Sequence, residues 1–234
     1  MKKIIGILIS LFLFSQCKSS DETWLNEAKI RLEKGELKSA LDACNKALEK
    51  NPGYAEAYNL KGVILFQQKN IKEAELNYAQ ALRIKPSYYQ ASLNLVSVKM
   101  EKNDWKNALP IILQTEKMAP DSNEVFLKKG IIVAALGKPE EAIQNFGRAI
   151  NLQPRNTDAL YNRGNIYFQQ KKYLKAKQDF EKSLEINPNF GKAYYALGLS
   201  YYYTNEKEKA CLSIKQALRL NYPGAQQASH QLCE

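Results

Sequence analysis

Proline recurs every 34 residues along this chain, at Pro52, Pro86, Pro120, Pro154 and Pro188. Alanine keeps the same period at Ala40, Ala74, Ala108, Ala142, Ala176 and Ala210. Four residues later stand Cys44, Tyr78, Ile112, Phe146, Phe180 and Ile214, and three after those Ala47, Ala81, Thr115, Ala149, Ser183 and Ala217. A fixed period of this length means one structural unit repeated along the chain. The small, bulky and small positions share one helical face. Small residues let two helices approach, and the bulky one fills the gap. Proline cannot continue a helix and also restrains the residue before it, so "NP" and "KP" end helices. Midway between prolines, "KGE", "KND", "LGK" and "TNE" break the pattern again. Each unit therefore reads as two antiparallel helices, A then B, and the fold class is all-α.

The period and the A-x-x-x-F-x-x-A…P pattern resemble the tetratricopeptide repeat (TPR). The resemblance implies a TPR solenoid of six helix-turn-helix repeats at 21–54, 55–88, 89–122, 123–156, 157–190 and 191–224. Helix A signatures agree: "YNLKG", "YNRGNIYF" and "YYALGLSYY" place an aromatic residue before Gly62, Gly164 and Gly198, and Phe126 precedes Gly130. Repeat 3 departs most. Val96 replaces the glycine, Thr115 replaces an alanine, and Pro110 falls within helix B, which predicts a kink or a late helix start. Residues 225–234 read as a polar capping helix over the exposed end of the solenoid, not as a seventh ligand-binding unit.

The chain opens on Lys2-Lys3 and an apolar run of 11 residues at 4–14. A membrane-spanning helix needs roughly 20 apolar residues, so residues 1–16 read as a signal peptide. Leu13-Phe14-Ser15-Gln16-Cys17 resembles the lipobox of bacterial lipoproteins, although Phe14 and Gln16 depart from its usual residues. The resemblance implies cleavage before Cys17, lipidation there with palmitate-type acyl chains, and residues 17–20 as a lipidated tether. Lys18 after the cysteine resembles outer-membrane sorting, with the periplasmic or surface face left open. The alternative is ordinary cleavage near Ser19 or Ser20.

Three further cysteines remain. Cys44 occupies a core position and reads as a buried thiol. Cys211 and Cys233 lie equal distances either side of Tyr222, as facing residues of two antiparallel helices do. In an oxidising compartment this predicts a disulfide pinning the cap; the alternative is two free thiols on neighbouring helices.

Nothing in the pattern points to catalysis. The single histidine is His230, so no Ser/His/Asp or Cys/His arrangement can be built within the repeats. No phosphate loop or paired metal-ligand spacing occurs. The expectation is a non-enzyme without cofactors or a small-molecule substrate. The formal net charge of +10 is spread over helix faces with no basic run longer than a pair, so no nucleic-acid partner is expected.

The TPR resemblance implies a concave groove, lined by helix A, that holds a peptide or partner protein. Tyr161 and Tyr195 at the fifth repeat position, and Phe66, Phe168 and Tyr202 at the twelfth, exceed the core pattern and turn toward the groove in that family. Asn162, Asn165, Gln169 and Lys192 accompany them. Rings supply contact area and amides can pair with a peptide backbone; the alternative is that the rings pack between adjacent helices. A carboxylate clamp of the kind some TPR proteins use is incomplete: Asn162 and Lys192 match, but Leu127, Ile131 and Ala196 replace its other members. The expected function is a membrane-anchored lipoprotein scaffold in the bacterial envelope. A pilotin-like assembly factor for a secretin or type IV pilus and a surface or secreted adhesin are the alternatives.

Overall fold

The computed structural model describes residues 20–233. The signal segment 1–16 and Cys17 lie outside the described residues, and Ser20, assigned above to the tether, is the first residue of a helix. Among the described residues there are thirteen α-helices and no strand. The chain divides into two compact units, Met1–Ile84 and Lys85–Glu234. The first holds α1 (Ser20–Glu33), α2 (Leu37–Lys50), α3 (Ala55–Gln67) and α4 (Ile71–Ile84). The second holds α5 (Tyr89–Glu101), α6 (Trp105–Met118), α7 (Asn123–Ala135), α8 (Pro139–Leu152), α9 (Thr157–Gln169), α10 (Tyr173–Ile186), α11 (Gly191–Tyr203), α12 (Lys207–Arg219) and α13 (Ala225–Cys233). In each unit consecutive helices pack on one another, and alternate A helices touch: α1 with α3, then α5 with α7, α7 with α9 and α9 with α11.

The turn inside each helix pair has one conformation. Gly35, Lys69, Asn103, Gly137, Lys171 and Asn205 all carry φ between 54° and 77°, and their numbers step by 34. This left-handed residue closes helix A, because the next N–H then reaches back to a carbonyl near the helix end. Glu36 N bonds Arg31 O at 2.9 Å, Asp104 N bonds Lys99 O at 2.8 Å, and Lys172 N bonds Tyr167 O at 2.8 Å. Glycine serves at only two of the six turns. Asparagine tolerates the conformation better than lysine does.

Core packing follows a trade in volume between helix A and helix B. A Cβ on Gly62 would fall 2.6 Å from Tyr78, on Gly130 2.5 Å from Phe146, and on Gly164 2.7 Å from Phe180. Each of these three glycines makes room for one ring, and Gly198 makes room for Ile214, 2.8 Å from a Cβ placed there. Where helix A carries a larger residue, helix B carries a smaller one: Ala28 stands with Cys44, and Val96 with Ile112, all fully buried. The Cys44 thiol is pushed up to about 12 by burial, with Lys61 opposing, so it stays protonated and apolar in character.

Repeat 3 is corrected on one point. Helix α6 starts at Trp105, in register with the other B helices, so there is no late start, and it continues through Pro110. The carbonyl that Pro110 leaves unbonded belongs to Lys106, and both residues are exposed, so water can satisfy it. Thr115 is likewise accommodated. Its hydroxyl lies 2.6 Å from Ser92 Oγ and donates to Ile111 O at 2.7 Å. In the α9–α10 pair, Arg163 donates to both Asp179 carboxylate oxygens, at 2.8 and 2.7 Å. Their side chains are 22% and 5% exposed, so this bidentate pair staples helix A to helix B.

Candidate functional site

The second unit brings most of the singled-out side chains onto α9 and α11. Tyr161 sits edge-on to Phe190 at 5.2 Å between centroids and tilted against Phe180 at 5.8 Å. Lys192 Nζ lies 4.5 Å from the centroids of both Tyr161 and Phe190, and 3.8 Å from Asp158. Burial raises the Tyr161 hydroxyl pKa, opposed by a hydrogen bond with the Asn165 side chain and assisted by nearby Tyr222. Tyr161 therefore stays neutral at ordinary pH. Lys192 thus makes a cation–π contact with two rings beside an acidic neighbour, which helps to hold Tyr161 in place, and its side chain stays 38% exposed. Of the incomplete clamp, Leu127 and Ile131 pack against the apolar core.

A second group of rings sits at the far end of the same helices. Phe168 is edge-on to Tyr173 at 5.3 Å and to Tyr203 at 5.7 Å, and Tyr173 stacks on Tyr203 at 4.9 Å. Tyr202 meets Tyr203 edge-on at 5.6 Å. Tyr202 and Tyr203 remain 42% and 55% exposed. Tyr195 leans on Tyr222 at 5.2 Å. The geometry is that of rings held by other rings, of which Tyr202 and Tyr203 are exposed and Phe168, Tyr173 and Tyr195 half-buried. Asn162 is half-buried on α9 and Gln169 is exposed at its last residue. Phe66 is half-buried near the end of α3, in the first unit.

Helix α13 adds a wall that the sequence reading assigned only to capping. Ala225 follows Gly191, the first residue of α11, by one repeat length, so α13 takes the register of a further helix A. It packs on α12 through buried Ala225 and Ala228. Its Gln227 and Gln231, with Tyr195, Leu199, Tyr202 and Tyr203 of α11, line an open concavity of about 490 Å³. A disulfide joins Cys211 of α12 to Cys233 of α13, with Cα atoms 5.1 Å apart. Phe190, Tyr203, Tyr222, Gln227 and Gln231 were not singled out from the sequence. A signal existed for Phe190: the position just before helix A is also aromatic at Tyr54 and Tyr88.

Among the described residues no group of three or more His, Cys, Asp or Glu could hold a metal ion. No helix among them is long and apolar enough to cross a membrane.

Comparison with known proteins agrees with this architecture. Models of the tetratricopeptide repeat match residues 25–89, 157–190 and 191–222, and a TPR repeat model matches 130–171. The chain is 28% identical over 113 residues to human protein O-mannosyl-transferase TMTC3, covering 47% of this chain and 12% of that protein. It is 21% identical over 144 residues to the type IV pilus assembly protein PilF of Pseudomonas aeruginosa, covering 61% and 57%. The chain thus spans less than two thirds of either curated relative. A solved structure of Pseudomonas aeruginosa PilF superposes with a TM-score of 0.80 at 18% identity, over 90% of this chain and 95% of that one. YrrB, described as a TPR protein with an unusual peptide-binding site, superposes with a TM-score of 0.64 at 24% identity, over 82% and 98%. At these identities the structural likeness is one of fold. The matching models together span most of the chain, on helix pairs that carry the same period, and the chain belongs to the tetratricopeptide repeat family.

Proposed function

We propose that this chain is a non-catalytic scaffold that holds a peptide segment of a partner protein against α9, α11 and α13. A TPR fold suits protein–protein interaction, and the observation that carries the reading is the set of ring-braced, outward-open tyrosines beside amide side chains. Rigid aromatic contact area costs little entropy on binding. Crosslinking pull-down from cell envelopes tests it, with the Tyr161→Ala/Tyr195→Ala variant as the control. Loss of a specific partner in that variant, with the helical circular dichroism unchanged, is the expected result. A folded variant that keeps every partner would overturn the groove assignment.

The anchoring half of the proposal rests on the lipobox-like segment ending at Cys17. Helix α1 begins at Ser20, and three extended residues reach about 10 Å. A lipid on Cys17 would therefore hold the first helix near the bilayer surface, on either face of the outer membrane. Palmitate labelling of the expressed protein, lost in Cys17→Ala, is expected; labelling unchanged by the substitution rules the anchor out. A second reading is favoured by the extent of the likeness to PilF, which covers nearly the whole of both chains in structure. In that reading the chain is a pilotin-like assembly factor, and the partner recovered by crosslinking is a secretin.

A further inference from the structure

The concavity between α11 and α13 is lined by uncharged side chains. A quarter of the chain's residues are charged, yet the residues lining this concavity include no acid and no base. It presents the Tyr195, Tyr202 and Tyr203 rings, Leu199, and the amides of Gln227 and Gln231. Lys207 and Glu208 line a neighbouring hollow that shares Tyr202 and Gln231, one charge of each sign, and Lys192 contacts Asp158, Tyr161 and Phe190.

This chemistry selects its ligand. A charged peptide would surrender hydration on entering and find no opposite charge. An uncharged segment loses little. The polar groups include phenolic O–H and the amide N–H of Gln227 and Gln231, donors that can meet the accepting carbonyls of a peptide backbone. Proline supplies that backbone: it has no N–H to satisfy, its carbonyls project outward in the polyproline II helix, and its ring packs flat on aromatic faces. The rings here are pre-placed. Tyr203 is stacked on Tyr173 and Tyr195 rests on Tyr222, so little order is lost on binding. We propose that the α11–α13 concavity is a docking site for an uncharged, proline-rich segment of the partner protein.

This inference rests on the peptide-groove reading above, and the experiment separates the two. Fluorescein-labelled decaproline is titrated into the full chain and followed by anisotropy, beside a Gly/Ser decamer and a Glu/Lys decamer. Decaproline is expected to bind at least tenfold more tightly than either control. Tyr202→Ala is expected to weaken it about tenfold, and Tyr202→Phe less, since the ring is retained. Tyr202 is an exposed side chain, so the variant tests the surface without emptying the core. Gln231→Ala, also exposed, is the second probe, with a severalfold loss expected. Equal binding of decaproline and the Gly/Ser decamer overturns the proline preference. Decaproline binding that survives both alanine variants overturns the site. If the Glu/Lys decamer binds best and is lost in Tyr161→Ala/Tyr195→Ala, the groove stands and the ligand class is wrong. If no peptide binds and the pull-down is insensitive to that double variant, the groove reading fails as well.

Discussion

The α5–α6 and α9–α10 pairs occupy equivalent places in the repeat and are built differently. In α5–α6 the contact between helices is aliphatic, Val96 with Ile112, and a buried Thr115 hydroxyl is satisfied by Ser92. In α9–α10 the same contact is Gly164 with Phe180. The register of Thr115 there holds Ser183, whose Oγ is buried without a hydrogen-bond partner. The second pair adds the Arg163–Asp179 staple and the Tyr161 and Phe168 rings. The backbone tolerates either filling because a ring on helix B is met by a glycine on helix A and an aliphatic side chain can be met by a valine, so steric fit at the contact is kept, not residue identity. The α5–α6 pair is the plainer structural element. The α9–α10 pair carries a costlier interior beneath a surface of braced rings.

Substitutions can break this contrast, beginning with the staple. Asp179→Ala leaves Arg163 without its partner in a mostly buried place, and a loss of about 3 kcal/mol is expected by urea denaturation. Replacing both, as Arg163→Met/Asp179→Leu, should cost far less; an equal cost would mean the pair contributes packing rather than charge balance. Next is the exchange of fillings. Gly164→Val overpacks against Phe180 and should cost about 2 kcal/mol. Adding Phe180→Ile recreates the Val96/Ile112 solution and should recover much of it. If the double variant is no better than the single one, volume trading is not the rule that relates the pairs.

Smaller effects of opposite sign are expected at the buried hydroxyls. Thr115→Ala removes a satisfied group and leaves Ser92 short of a partner, so stability should fall by about 1 kcal/mol. Ser183→Ala removes an unsatisfied one and should raise it by about 1 kcal/mol. Matching signs would show that hydrogen bonding does not distinguish the two sites. The turns differ in the same spirit. Lys171 holds a left-handed conformation that Asn103 adopts more easily, so Lys171→Gly should stabilise by about 0.5 kcal/mol while Asn103→Gly is near neutral. Thermal unfolding of the two variants side by side reads this difference.

The smallest effect is electrostatic. Asp104 precedes α6 and its carboxyl is held below the ordinary aspartate range by the Asn107 side chain, with Lys99 assisting. The equivalent position before α10 is Lys172. A depressed carboxylate contributes stability above its unfolded pKa, and that contribution fades as pH falls through the folded one. The melting temperature of Asp104→Asn should therefore lie slightly below the parent's at neutral pH and meet it in acid. A gap that persists in acid would assign the effect to something other than the ionised carboxylate.

Most of the fold was legible because a repeat writes its packing into a period. Proline, alanine and the bulky residue each recur for a mechanical reason, and chance cannot keep them in register. The left-handed turns were visible as interruptions but not as one conformation, since glycine fills only Gly35 and Gly137 among them. The candidate site was legible in part. Tyr161, Phe168, Tyr195 and Tyr202 stand out as aromatics in excess of the core pattern. Of their partners, Phe190 carries only the signal of an aromatic recurring before helix A, Tyr222 lies in a turn, and Tyr203 sits beside two other tyrosines. No spacing rule relates a turn residue to a ring on another helix.

By itself the sequence determined the helix pairs, their order, and which face of each is apolar, because those follow from local periodicity. Only the tertiary structure decided which side chains are free to meet a ligand. Lys192 stands alone in sequence and in space lies against the Tyr161 and Phe190 rings and 3.8 Å from Asp158. Helix α13 looks like a cap and also forms a wall of the tyrosine-lined concavity. The reason is the same in both cases: availability depends on what neighbouring helices have already engaged, and those neighbours are distant along the chain.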